Sequence, residues 1–461
     1  MRPAVFPAAL ALFLGGCSLV PDSERPALAM PAAFGDAAPA PAATPLADAT
    51  WWRRFGSPEL SALMSDAMTG NQDLEAAFRR VAQARASLAG TRAGWFPTLS
   101  ASSNANRSLH NTARTAAATE KTTYDVGGDL SWEVDLFGKT RASVLSAEAT
   151  AQSQALARDA LALSIQGEVA TAYVTALAAK DRLAIARENL ATAREILALI
   201  ETQVSIGSQA PLEQAQQRST VAGIEASLPQ LEADLAAAQT SLAVLLGRAP
   251  QGFRIQAPGL NALALPAIAP GQPSDLLERR PDIREAEATL IAANADIGAA
   301  RSAFFPTLTL SASASLSGAL SGGTTTAGSL AGNLLGTIFD AGKREADLEV
   351  ARQRWAELAA TYRTTVLTAL KEAEDALVTE DTGARREVAL AEAVVQSTEA
   401  LRIARTQYQV GDGDFLAVLT AQQTVLSSRD SLAQARGDRF QSAIDLVKAL
   451  GSGWREPTAS P

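Results

Sequence analysis

The chain has 461 residues, a formal net charge of −9, 47% apolar residues but only 5% aromatic ones, one cysteine and one histidine. The acidic balance argues against nucleic acid as a partner, and a lone Cys beside a lone His leaves neither a disulfide nor a soft-metal ligand set. So little bulk, with alanine dominant, suits long helices packed closely along their sides rather than one large globular core.

In chain order, Met1-Arg2 is a short basic start and residues 4–14 form an apolar run. That length suits a signal peptide and is too short to span a bilayer. Leu14-Gly15-Gly16-Cys17 resembles a bacterial lipobox, so residues 1–16 read as a lipoprotein signal peptide and Cys17 as the acylated residue. Ser18, standing where a retained lipoprotein would carry aspartate, implies passage to the outer membrane. Residues 17–56 read as a lipid-anchored extended segment, too rich in Pro and Ala to fold alone. It ends in Trp51-Trp52-Arg53-Arg54-Phe55-Gly56, a cluster expected to dock on the body.

Residues 57–257 read as a first structural repeat. Ser57-Pro58 has the form of a helix start, serine as cap and proline as first helical residue. A helical run over 71–94 gives way at Trp95-Phe96-Pro97 to two strands, at about 97–109 and 124–137. The second alternates: Tyr124, Val126, Leu130, Trp132, Val134 and Leu136 against Asp125, Asp129, Ser131, Glu133 and Asp135. One apolar and one wet face is the mark of a transmembrane barrel strand, which makes Asp125, Asp129, Glu133 and Asp135 candidate lumen acids. His110 reads as loop-facing rather than catalytic, and 111–123 as an external loop. A helix then starts at Lys139 and runs to about Gly207, on the order of 100 Å. Leu183, Ala186, Leu190, Ala193, Leu197, Ile200 and Val204 form a coiled-coil seam on it. Pro211 starts the return helix to Gly247, in which Pro229 predicts a kink.

Residues 258–451 read as a second repeat, followed by a tail over 452–461. Arg279-Arg280-Pro281-Asp282 opens a helix that reaches Arg301; Phe305-Pro306 then begins strands at about 305–317 and 329–339, with a loop over 321–328. A helical hairpin follows over 343–450, its tip at 410–414. Pro97 and Pro306 are 209 apart, whereas Gly138 and Gly342, Gly207 and Gly411, and Gly247 and Gly451 are each 204 apart. Such fixed offsets mark an internal duplication.

Beyond the signal region no apolar run approaches the ~20 residues of a membrane helix, so membrane crossing is expected through a β-barrel. Four strands cannot close one, and open edges are prohibitive in lipid. Two chains would give a filled barrel, three a barrel with a lumen, and three fits a channel better.

The segment LLERRPDIREAEATLIAANADIGAARSAFFPTLTL, the run WWRRFGSPELSALM and the paired Gly-Lys sites at 138–139 and 342–343 resemble the outer membrane factor family. The likeness is to its OprM/NodT-like lipoprotein branch, within the TolC superfamily, and spans essentially residues 17–451. It implies a TolC-like fold, mainly α with a transmembrane β part: a homotrimer whose strands form one barrel continued by a long α-helical barrel. The implied partners are a periplasmic membrane-fusion adaptor, an inner-membrane resistance-nodulation-division (RND) transporter and outer-membrane lipid. The implied function is a passive exit duct for drugs or other toxic small molecules, with no enzymatic activity and no cofactor or metal beyond the lipid on Cys17.

At the periplasmic entrance the family's tyrosine–acid pair falls on Tyr408 and Glu213, although Tyr408 also continues a seam from Leu401 and Ala404. The entrance aspartates, two in TolC and one in OprM, fall on Ala417 and Thr420, and the tip arginine of TolC on Gly413, so the usual cation-binding ring is not expected. Asp412 and Asp414 either supply acids nearer the tip or cap the helix that follows. Gly207 and Gly411 permit tight turns and close approach of a partner helix, as adaptor contacts require. Two rival readings are the same duct in a type I protein-secretion system and a periplasmic coiled-coil scaffold without a pore.

Overall fold

The structure, a computed structural model, describes residues 19–22, 25–35, 50–111, 118–208, 210–320 and 322–454. Residues 1–16, Cys17 and the tail from 455 onward lie outside the described residues.

Helix α1 (Pro58–Gly70) starts at Ser57, whose hydroxyl accepts the Leu60 amide at 3.1 Å, with Pro58 first in the helix. Asn71 accepts the amides of Asp73 and Leu74 at 3.0 Å and so starts α2 (Gln72–Arg92). There follow β1 (Thr98–Asn111), β2 (Ala118–Val134), α3 (Lys139–Ser205) and α4 (Pro211–Leu245), which continues through Pro229. After a linker, a one-turn helix (Leu276–Arg279) precedes α5 (Pro281–Ser302), β3 (Thr307–Ala319), β4 (Thr324–Leu335), α6 (Lys343–Gln409) and α7 (Phe415–Ala449). Helices α3 and α6 each have 67 residues, and α4 and α7 each have 35. Gly138 and Gly342, at φ 77° and 86°, stand one residue before α3 and α6, where the left-handed turn from strand to helix favours glycine.

The strands differ from the expected spans. β2 begins at Ala118 rather than 124 and ends at Val134 rather than 137, and β4 occupies Thr324–Leu335 rather than 329–339. The early part of β2, Ala-Thr-Glu-Lys-Thr-Thr, carries no apolar alternation, yet its backbone pairs with β1 from Asn111↔Ala118 onward. Ladder pairing extends wherever two backbones run side by side, whatever the side chains say. Fewer residues therefore lie between the paired strands than expected.

The chain divides into two compact units. One contains the N-terminal residues as far as Leu28 with Arg79–Ala155 and Arg284–Thr364. Its centre is a single antiparallel sheet in the order β1-β2-β3-β4. Here the N-terminal segment is strapped along α5: Asn294 donates to the Pro21 carbonyl at 2.7 Å, and Arg25 forms a two-bonded ion pair with Glu287. A Cβ on Gly298 would meet Val20 at 2.5 Å, so the strap lies directly on the helix there.

The other unit comprises Ala29–Phe78, Leu156–Ile283 and Thr365–Pro461. Its largest core joins Trp51, Phe55, Leu60 and Met64 to Val169, Tyr173 and Leu177 of α3 and to Leu242 and Ile444. The Trp51–Phe55 cluster is thus docked, both side chains buried. Glu59 fixes the linker by accepting the amides of Gln256 and Ala257 and the phenol of Tyr173. One stretch of α3 is apolar enough, by length and composition alone, to cross a membrane, contrary to the reading that none exists. Half of that stretch is buried inside the chain. Its apolar character serves packing between helices.

Candidate functional site

The register assigns every sheet residue to a face. Tyr124, Val126, Leu130 and Trp132 of β2 stand beside Leu99 of β1, Leu310, Ala312 and Leu316 of β3, and Leu330 and Leu334 of β4. The opposite face is polar. One rung across all four strands reads Ser100, Asp129, Ser313, Ser329, and another reads Asn104, Asp125, Ser317, Thr325. Ser313 and Ser329 share a hydroxyl–hydroxyl bond of 2.8 Å. Such a sheet presents hydrocarbon on one side and water-binding groups on the other, as a barrel wall in lipid must. β1 and β4 each have one neighbour, so both outer edges carry unpaired backbone groups.

Of the four candidate lumen acids, the structure keeps Asp125 and Asp129 on the open polar face. Glu133 shares that face but pairs with Lys139 at 3.0 Å. Asp135 does not belong to the wall. It lies beyond the end of β2 and accepts the amides of Thr140 and Arg141, at 3.2 and 2.8 Å, at the start of α3. Carboxylates at a helix N-terminus satisfy donors that have no partner within the helix.

At the helical tips, the Tyr408 phenol donates to Glu213 Oε2 at 2.6 Å. Tyr408 is 5% exposed and lies against Phe415, ring centroids 5.6 Å apart. Burial first, and then the bond to Glu213, hold its phenol well above the ordinary tyrosine range. Leu401, Tyr408, Phe415, Val418 and Val425 form one cluster with Ile196 and Ile200 of α3. Leu190 and Ala193 of α3 pack instead with Val221 of α4. Helix α3 therefore carries two seams, and Ile196 was not part of the one read from the heptads.

Asp414 caps α7 by accepting the Leu416 amide at 3.1 Å. Asp412 is exposed in the turn, and Thr420, also exposed, donates to the Leu416 carbonyl. Gly207 and Gly411, at φ 76° and 81°, make the two tips. A Cβ on Gly413 would press on Gln407 and the Tyr408 amide at 3.0 Å, a close approach that favours glycine there.

The two tips are secured differently. Glu201 accepts from Arg218 at 2.7 Å and from Gln214 at 3.3 Å, clamping α3 to α4. Arg218 holds the Glu201 carboxyl below the usual glutamate range. The residues 204 further on are Arg405 and Gln422, so the clamp has no counterpart in the second repeat. Gln422 is instead 1% exposed, in the spacing Phe415, Val418, Gln422, Val425, and neither of its side-chain polar atoms has a hydrogen-bond partner among the described residues. Gln217, fully buried on α4, has its amide bonded to the Ala193 carbonyl and its oxygen without a partner among the described residues. Sequence reasoning passed over both glutamines; a polar residue interrupting an apolar heptad was the available signal.

The Arg280-Pro281-Asp282 motif acts as a fastener. Arg280 binds Asp282 through two bonds, of 3.0 and 2.7 Å, Glu372 at 2.7 Å and the Ala449 carbonyl at 3.2 Å. It ties the start of α5 to α6 and to the end of α7.

A sequence model of the family described as outer membrane efflux protein matches residues 63–248 and again 272–452. The chain belongs to the outer membrane efflux protein family. Among its relatives, the pyoverdine export outer membrane protein OpmQ of Pseudomonas aeruginosa is 36% identical over 414 residues, covering 88% of this chain and 87% of that one. The probable efflux pump outer membrane protein TtgC of Pseudomonas putida is 33% identical over 463 residues, covering 98% and 96%. The solved outer-membrane channel OprN superposes with a TM-score of 0.88 at 30% identity, covering 95% of this chain and all of that one. The chain is therefore an outer-membrane efflux channel with a TolC-like fold, mostly helical with one four-stranded sheet among the described residues.

Proposed function

We propose that three copies of this chain close a twelve-stranded barrel and form the passive exit duct of a tripartite efflux pump. The observation that carries this is the open, two-faced sheet: four strands with a lipid-compatible side, a hydroxyl-rich side and two unsatisfied edges. Neighbouring copies are the natural source of the missing pairing. In this reading each chain consists of two duplicated repeats, 57–257 and 258–451, and Cys17 carries the lipid anchor. The tips at Gly207 and Gly411 receive a periplasmic adaptor, and an RND transporter in the inner membrane supplies the energy. The duct performs no chemistry and needs no cofactor.

Tyr408 and Glu213 act as the entrance latch, since they join the two hairpins of one chain by a half-buried, charge-assisted bond. Relatives named for pyoverdine export and for toluene efflux support a cargo of drugs or other toxic small molecules. The test combines native mass with planar-bilayer conductance of the purified protein. A trimer that conducts is expected; a single chain that conducts nothing would refute the duct. Deleting the gene and screening a broad toxicity panel, with complementation by the wild-type chain or Cys17→Ser, identifies the cargo and tests the anchor.

A further inference from the structure

We infer that the sheet edges of adjacent copies meet in one particular register, with Asn333 on β4 of one copy opposite Asn104 on β1 of the next. This rests on the proposed barrel and adds its pairing. The two hairpins are related by two offsets: 209 for their first strands, as between Pro97 and Pro306, and 204 for their second, as between Gly138 and Gly342. The observed ladders obey both. Thr98↔Ser131 in one hairpin becomes Thr307↔Leu335 in the other, and Asn104↔Asp125 becomes Ser313↔Ser329.

Within the chain the hairpins join at β2 and β3, where Val134 pairs with Leu308 and Asp129 with Ser313. A closed ring of like hairpins repeats that junction between β4 and the next β1. Moving Val134 forward by 204 gives Ile338, and moving Leu308 back by 209 gives Leu99. The same shifts turn Asp129↔Ser313 into Asn333↔Asn104.

Two further observations fit this register. It keeps the faces continuous, placing Ile338 beside Leu99 and Leu334 beside Ser103 on the apolar side, and the two asparagines on the polar side. A slip of one residue would put every side chain on the wrong face. The register also explains where β4 stops. β2 runs to Val134 because Leu308, Thr309 and Leu310 pair with its last three residues. The corresponding residues of the second hairpin, 336–338, lack a partner and lie outside β4, with Ile338 99% exposed. Assembly therefore lengthens β4 through Ile338, against residues 99–101 of the neighbour.

The test is disulfide trapping in the full-length chain. Asn104→Cys with Asn333→Cys, oxidised in outer-membrane preparations, is expected to give covalent dimers and trimers on non-reducing gels. Directly opposed strand residues place Cβ atoms within disulfide reach, whereas two residues out of register adds roughly 6–7 Å. The yield should exceed by at least about tenfold that of Asn104→Cys with Leu335→Cys, on the same face but shifted by two. Asp129→Cys with Ser313→Cys, the equivalent pair inside one chain, should form a bond without change of mass and reports that the sheet has folded. If the shifted pair links better, or neither links while the native mass is that of a trimer, the register is wrong and the barrel stands. If the internal pair alone forms and the native mass is one chain, the barrel itself is refuted.

Discussion

Tyr408 and Glu213 lie 2.6 Å apart across 195 residues of sequence, one at the end of α6 and the other in the first turn of α4. The bond therefore couples the two helical hairpins at their tips. Tyr408→Phe keeps the ring against Phe415 but removes the donor. Loss of a hydrogen bond to a charged acceptor costs about 1.5–3 kcal/mol, so open probability in planar bilayers should rise by roughly tenfold or more. Because the two residues share this bond, the effects of Tyr408→Phe and Glu213→Gln should combine to less than their sum. Equal closed-state dwell times for wild type and Tyr408→Phe would dismiss the latch.

Gln422 predicts the opposite sign. Its carboxamide is buried in an apolar seam without a partner among the described residues, which costs about 1–3 kcal/mol of desolvation. Gln422→Leu should stabilise the closed packing of α7, raise the thermal unfolding temperature by a few degrees and shorten channel openings. Unchanged or lower thermal stability would show that the amide is satisfied in the assembled channel.

Removing the Arg280 guanidinium strands Asp282, Glu372 and the Ala449 carbonyl. The arginine side chain is 11% exposed but both acids are more open, so the expected loss on Arg280→Ala is about 2–3 kcal/mol. Arg280→Lys should recover only part of it, because an ammonium cannot reproduce the two-bonded contact with Asp282. Denaturant midpoints of the three proteins measure this order.

Alkaline stability follows from the buried phenols. Burial pushes Tyr173 up to about 12, with Glu59 adding to the rise, and Tyr408 is raised as well. A phenol whose folded value lies above its ordinary value of 10.0 contributes stability that is full below about pH 10 and lost as pH rises through the folded value. Ionisation of these two residues, followed by absorbance near the phenolate band, should lag behind that of free tyrosine and coincide with loss of near-ultraviolet circular dichroism. Tyr173→Phe should flatten the alkaline limb. Early titration with tertiary structure intact would contradict the burial argument.

What the sequence determined is local or periodic. Alternation after Pro97 and Pro306 marked where helix turns to strand, the 204-residue offset marked matching helices, and Ser57-Pro58 marked a cap, since each depends on neighbours along the chain. The Tyr408–Glu213 pair was legible through family resemblance, and the structure brings those side chains together. Strand ends, the second seam through Ile196, the capping role of Asp135, the network at Arg280 and the unpartnered amide of Gln422 were decided by tertiary structure. Each depends on which distant atoms meet at hydrogen-bond distance and which are shut away from water, and periodicity fixes a residue's face without fixing what lies opposite it.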